Sequence, residues 1–141
     1  MEEMLILRRL VENEGCTCAL FKGGRIYKSA ERGVKPLLDF IAGGTDFTGA
    51  YAADKIVGKA AALLYSYMKI GRLYASVLGE SALTVLRKHG VETEYGLLTR
   101  SIVNRAGTGL CPMEEAVLQI EDPAEALAAV KERAAFLSRK K

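Results

Sequence analysis

The chain has 141 residues, half of them hydrophobic and 26% charged, the balance of one globular domain spanning residues 1–141 rather than of a disordered or fibrous chain. Twenty basic and 17 acidic residues leave a net charge of +3. That small excess forms no basic stripe with interleaved aromatics, so nucleic acid is not expected as a partner.

Met1 is followed by two glutamates and not by a basic and apolar leader, so no signal peptide is expected and the protein is placed in the cytoplasm. Residues 2–13 carry an apolar stripe of Met4, Leu5, Ile6, Leu7 and Leu10 and read as an amphipathic helix, closed by Gly15. Cys16 to Lys22 and Arg25 to Lys28 are β-like runs about Gly23-Gly24, a hairpin signal. The three cysteines, Cys16, Cys18 and Cys111, are odd in number, which argues against a disulfide framework. Cys16 and Cys18 would face one side of a strand as small buried hydrophobes.

Pro36 opens a short helix bearing Leu37, Leu38, Phe40 and Ile41. The small-residue loop Gly43 to Gly49 lacks the Gly-Lys-Ser/Thr ending of a P-loop. Its backbone either cradles a phosphate or simply connects. The most hydrophobic helix is expected over about residues 52–70 and, apolar nearly all round, belongs at the domain centre. The most apolar run, Ile56 to Ile70, is broken by Lys59 and Lys69 and is too short and too charged to span a bilayer, so no membrane is expected.

Gly71 ends that helix, and Leu73 to Leu78 reads as a strand buried on both faces. Gly79-Glu80-Ser81 turns into a helix from about Ala82 to His89, closed by Gly90. A further strand over Val91 to Tyr95 and a short helix over Leu97 to Val103 follow. Asn104 to Gly109 is a second polar, glycine-rich loop, and Cys111-Pro112-Met-Glu-Glu115 starts another short helix. Asp122-Pro123-Ala-Glu125 places a cap, a first-turn proline and an acidic third position at the start of a last helix ending near Ser138. The run Arg139-Lys140-Lys141 reads as a solvated tail.

A hairpin followed by strand–helix–strand crossovers gives a mixed sheet covered by helices. That order resembles the cytidine-deaminase fold. The segments Asp54-Lys-Ile-Val-Gly-Lys-Ala60 and Asn104-Arg-Ala-Gly-Thr-Gly-Leu-Cys-Pro-Met-Glu-Glu-Ala-Val117 are similar to a small, uncharacterised family of bacterial and archaeal proteins assigned to that fold. The resemblance implies an α/β domain of three layers, α/β/α, whose mixed sheet has an N-terminal antiparallel hairpin and parallel crossovers. It also implies a homo-oligomer, since deaminase-like domains assemble through their helices. It supplies no activity.

Zinc deaminases carry His-x-Glu or Cys-x-Glu at the start of the central helix and Pro-Cys-x-x-Cys at the next crossover. Here the corresponding stretches read Ala53-Asp54-Lys55-Ile56 and Leu78-Gly79-Glu80-Ser81-Ala82, without thiol or imidazole, and the one histidine, His89, falls at the far end of its helix. No metal and no cofactor are expected.

Helix N-termini at one end of the sheet would favour an anion. On the expected central helix Lys55 and Lys59 share a face, a like-charge pair costing about 0.2–0.5 kcal/mol that an anionic ligand would relieve. The alternative has Asp54 as an N-cap, Lys55 solvated and Lys59 paired with a carboxylate. Ser81 reads as a helix cap beside a ligand pocket, and Glu80 as a general base if buried. Asn104, Arg105, Gly107 and Thr108 form a candidate ligand loop, in which Arg105 would pair with a carboxylate or phosphate. Cys111, at a helix start, is a candidate nucleophile or a buried hydrophobe. Glu114 and Glu115 fit stabilisation of the helix dipole. Three functions stand open: a protein binding a small anionic, nucleotide-like or phosphorylated metabolite; an enzyme without zinc using Cys111 or Glu80; and a non-catalytic, oligomerising regulatory domain. Whether the chain is an enzyme is left open.

Overall fold

The computed structural model describes residues 2–103, 106–107 and 109–139. The N-terminal stripe folds as its spacing predicts: α1 (Glu2–Asn13) buries Met4, Leu7 and Val11 along one face. Leu5 and Ile6, counted in the stripe, are exposed. Gly15 follows at φ 83°. The strands β1 (Cys18–Lys22) and β2 (Arg25–Ser29) pair antiparallel about Gly23 and Gly24, both at the positive φ that a two-residue hairpin turn requires. Cys18 and Cys16 are buried. Pro36 sits in the first turn of α2 (Lys35–Ala42).

The segment expected as one helix over 52–70 is two elements. Its first part is β3 (Tyr51–Val57), and α3 (Lys59–Tyr67) begins only after Gly58. Ala52, Ala53 and Asp54 are all buried. A strand covered on both faces is apolar at consecutive positions, so over a few residues it has the same pattern as a buried helix. Next come β4 (Arg72–Gly79), α4 (Glu80–Lys88), β5 (Glu92–Thr99), α5 (Pro112–Ala116) and α6 (Pro123–Arg139). The helix expected over 97–103 is not formed. Leu97, Leu98 and Thr99 pair in parallel register with Val77, Leu78 and Gly79, so sheet pairing overrides the local pattern.

The sheet order is β2-β1-β3-β4-β5. β1 is antiparallel to both β2 and β3, whereas β3, β4 and β5 run parallel. This is the expected mixed sheet with an N-terminal hairpin and parallel crossovers. α1 packs on one face against Ala19, Ala53 and Tyr74. On the other face Leu20, Ala52, Val57 and Leu73 meet Leu63, Leu64 and Tyr65 of α3, Leu86 of α4 and Val130 of α6. Helices therefore cover both faces, in three layers. Ala60, Ala61 and Ala62 are buried, as a close approach of α3 requires. Among the described residues no helix is long and apolar enough to cross a membrane.

Ser81 is not the expected cap. It is the second residue of α4 and is exposed, and the N-cap is Gly79. Ser81→Ala is expected to move the unfolding free energy, read by urea denaturation, by no more than about 0.5 kcal/mol. Loss of a true serine cap would cost about 1 kcal/mol.

Candidate functional site

Parallel strands joined by crossovers place their carboxyl ends on one rim of the sheet, the edge at which open α/β sheets hold ligands. There β3 turns through Gly58 into α3, beside a cavity of about 560 Å³. Its wall is formed by Asp54, Lys55 and Ile56 of β3 and by Gly58, Ala60 and Ala61 at the turn and in α3. Thr17, Arg32, Gly33 and Val34 line it from before β1 and before α2. Ile102, Val103, Cys111, Met113 and Glu114 complete it from the segment after β5.

Asp54, 7% exposed, is one of two buried polar residues of the wall, with Glu114. It does not cap a helix, because the chain there is a strand. Its Oδ2 accepts a hydrogen bond from the Tyr65 hydroxyl at 2.7 Å, and its Oδ1 accepts from the Ile56 N–H at 3.3 Å. The Tyr65 oxygen also lies 3.2 Å from Cys18 Sγ, where either atom can donate. Burial pushes the Asp54 carboxyl up to about 7, although the Tyr65 hydroxyl and the neighbouring backbone N–H groups oppose the shift. Burial, with Asp54 alongside, also raises the Cys18 thiol and the Tyr65 hydroxyl. The three groups form a chain whose direction follows the proton. When Asp54 is ionised, Cys18 donates to Tyr65 and Tyr65 to Asp54. When Asp54 is protonated, the order can reverse. A carboxyl poised near neutral pH against a cavity can accept or donate a proton.

The positive end of α3 is already occupied by a side chain of the protein. Glu114 of α5 is buried, and its two carboxylate oxygens accept from the backbone N–H groups of Lys59 and Ala60, each at 2.8 Å. A Cβ on Gly58 would stand 2.5–2.8 Å from that carboxylate, so the glycine is what lets Glu114 seat. Glu114, expected to serve the dipole of its own short helix, instead caps a helix 54 residues away. The local pattern held no signal for this pairing.

Lys55 and Lys59 do not share a helix face. Lys55 lies on β3, exposed and lining the cavity. Lys59 opens α3, with Nζ 2.7 Å from the Glu121 carboxylate and 3.2 Å from the Leu118 carbonyl. This is the carboxylate pairing held open for it. Cys111 stands at the N-cap of α5, partly buried, on the same cavity. Glu80 and Ser81 are exposed at the start of α4 and Gly107 is exposed; none of the three is a wall residue. A buried base at Glu80 is therefore corrected. Asn104, Arg105 and Thr108 lie outside the described residues. Thr17, Arg32 and Tyr65 were not legible as site residues, since only tertiary folding brings them to β3.

The Gly43 to Gly49 loop borders a separate, open cavity of about 430 Å³ with Tyr67, Met68 and Lys69, at the opposite end of α3. Its Thr48 N–H donates to Asp46 and its Gly49 N–H to the Lys69 carbonyl, so these loop donors serve the chain itself. The two helix starts that would carry zinc ligands in a deaminase read Gly58-Lys59 and Glu80-Ser81. Neither offers a thiol or imidazole, so they do not fit a catalytic zinc. Among the described residues no group of three or more His, Cys, Asp and Glu side chains could hold a metal ion.

Fold and site define a three-layer α/β domain with a cavity at the carboxyl end of its parallel strands. The family model TM1506, a domain of unknown function (DUF1893), matches residues 6–134, and the chain belongs to this family. The crystal structure of a DUF1893 family protein (TM1506) from Thermotoga maritima is similar, with a TM-score of 0.84 and 27% identity over 94% of this chain and 91% of that one. A fainter likeness, TM-score 0.46 and 13% identity, is to a diaminohydroxyphosphoribosylaminopyrimidine deaminase/5-amino-6-(5-phosphoribosylamino)uracil reductase from Thermotoga maritima; it covers 67% of this chain and 36% of that one. No curated protein matches the chain.

Proposed function

We propose that the cavity binds a small anionic metabolite, nucleotide-like or phosphorylated, without zinc. The observation that carries this reading is one cavity that joins an apolar wall, a buried carboxyl and two exposed cations. Val34, Ile56, Ile102 and Met113 supply the apolar surface for a ring or alkyl body. Lys55 and Arg32 are exposed and line the same space, so their charges lie at its mouth. A guanidinium there pairs with phosphate or carboxylate through two parallel hydrogen bonds. Asp54 fixes the inner end, as an acceptor when ionised and a donor when protonated. An apolar enclosure with a few directed polar groups is the common form of a small-molecule site.

The test is a panel of phosphorylated and carboxylated metabolites screened by thermal shift, with affinities from calorimetry. At least one member is expected to bind saturably, and Lys55→Glu with Arg32→Glu to weaken it by at least about tenfold, the equivalent of 1.4 kcal/mol. No binding across the panel, or equal affinity in the double variant, refutes the reading. The enzymatic alternative has one observation in its favour: Cys111 and Asp54 line the same cavity. Turnover of a bound compound that Cys111→Ser abolishes, at an unchanged melting temperature, would select it.

A further inference from the structure

An apolar row leaves the lip of the cavity and crosses the sheet. Val57 and Leu78 are buried on the α3 face, so their neighbours Ile56 and Val77 point to the opposite one. Ala53 and Tyr74 share that opposite face under α1, because the alternation shifts by one residue at Lys55 and Ser76, a row the ladder skips. Ile56 pairs with Val77, and Val77 with Leu97, in parallel register. The three side chains therefore stand in single file across β3, β4 and β5. Ile56 and Leu97 are 55% and 60% exposed, and Val77 is half-buried. Toward the start of the strands the face is closed, where the Tyr74 hydroxyl donates to Glu12 in the last turn of α1 at 2.7 Å.

Three observations say what covers this row. Three side chains in single file fall far short of the roughly 1,000 Å² that a specific protein interface buries. The row is continuous with the cavity, because Ile56 belongs to both. The cavity's two exposed cations lie on the other side of Ile56. Lys55 precedes it on β3, and Arg32 follows β2, on the hairpin side of β3, whereas Val77 and Leu97 belong to β4 and β5. We propose that the ligand is a single-chain amphiphile, an alkyl or acyl chain with one anionic head. The head meets Lys55 and Arg32, and the chain leaves the cavity over Ile56 and lies across Val77 and Leu97. This rests on the reading of the cavity as an anion site and adds the class of molecule. Two strand spacings, about 10 Å, separate β3 from β5. An extended chain with C–C bonds of about 1.5 Å advances about 1.25 Å per carbon, so about eight methylenes span the row.

Calorimetry of the full chain with monoalkyl phosphates from butyl to tetradecyl, each below its micelle concentration, tests this. From butyl to dodecyl the dissociation constant is expected to fall about twofold per methylene, and to level off at tetradecyl. That is half of the roughly fourfold that complete burial gives, because one side of the chain stays in water. Leu97→Gln, at an exposed site, is expected to weaken dodecyl phosphate at least about fivefold, with butyl phosphate and the circular dichroism melt unchanged. Lys55→Glu is expected to weaken every member of the series alike. Butyl phosphate that binds as tightly as dodecyl phosphate overturns the row and leaves the anion site standing, as does a chain-length gain that survives Leu97→Gln. Capture by anionic phospholipid vesicles without binding of monomeric dodecyl phosphate would assign the row to a membrane surface and overturn the free chain. Failure of the whole series, short and long, overturns row and anion site together.

Discussion

Glu114→Ala is expected to lower the unfolding free energy by about 2–3 kcal/mol, measured by urea denaturation at neutral pH. The helix it caps begins at Lys59, and its own N-cap, Gly58, has no side chain to offer. The Glu114 carboxylate fills that role from α5, accepting from the first two N–H groups of α3 and lying at the positive end of its dipole. Removing it leaves two donors without their partner in a partly buried position, and hydrogen bonds to a charged group contribute about 1.5–3 kcal/mol. Gly58→Ala tests the same contact from the other side. The new Cβ would press on the carboxylate at 2.5–2.8 Å, and moving that carboxylate breaks the two bonds that pin it. A loss of about 1–3 kcal/mol is expected. The two changes should be strongly non-additive, because once Glu114 is gone the clash is gone. Gly58 has φ −98° and ψ −173°, which any residue can adopt. Gly58→Ser in the Glu114→Ala background should therefore recover about 1 kcal/mol by supplying a side-chain cap. A Glu114→Ala protein as stable as wild type would show that the carboxylate does not hold α3.

Asp54→Asn is expected to flatten the pH dependence of stability and to make the chain more stable than wild type above pH 7. The folded protein holds the Asp54 proton up to about pH 7, against an ordinary value of 3.8. Between those values the folded state binds more protons at this site than the unfolded state does. The stability from Asp54 is thus fully present below about pH 4, falls as pH rises through 7, and is level beyond it. At 1.36 kcal/mol per pKa unit the fall has a ceiling of about 4 kcal/mol. Exposed Asp46 and Glu121 are shifted down and act in the opposite direction, in the more acid range. An asparagine is nearly isosteric with the protonated acid and pays no ionisation cost. Wild type and variant should therefore be close at pH 4 and separate progressively by pH 8. Parallel denaturation curves across that range would show that Asp54 is not held protonated.

The parts of the fold legible in the sequence are those set by local chemistry. Gly23-Gly24 fixes the hairpin, Gly15 ends α1, and Asp122-Pro123 starts α6, where the Glu125 N–H donates to Asp122 Oδ2 at 2.9 Å. The β3–α3 junction was not legible, because buried strand and buried helix carry the same run of Ala, Ile and Val. That single confusion displaced the site. It made Asp54 a cap, when Asp54 is a strand residue facing Tyr65, and it set Lys55 and Lys59 on one helix face. Lys55 and Cys111 line one cavity and Glu80 does not, a grouping that no local pattern in the sequence carries. Glu114 escaped notice for a different reason. A carboxylate in a first helical turn has an adequate local explanation, and nothing local distinguishes one that caps a helix 54 residues away.

The most direct measurement is backbone amide shift mapping by NMR on titrating a panel compound into the labelled chain. The expected result is saturable shifts clustered at Thr17, Asp54, Lys55, Ile56 and Ala60, with the loop over residues 45–49 unmoved. Shifts confined to that loop, or none with any compound, would contradict a binding site at the carboxyl end of β3.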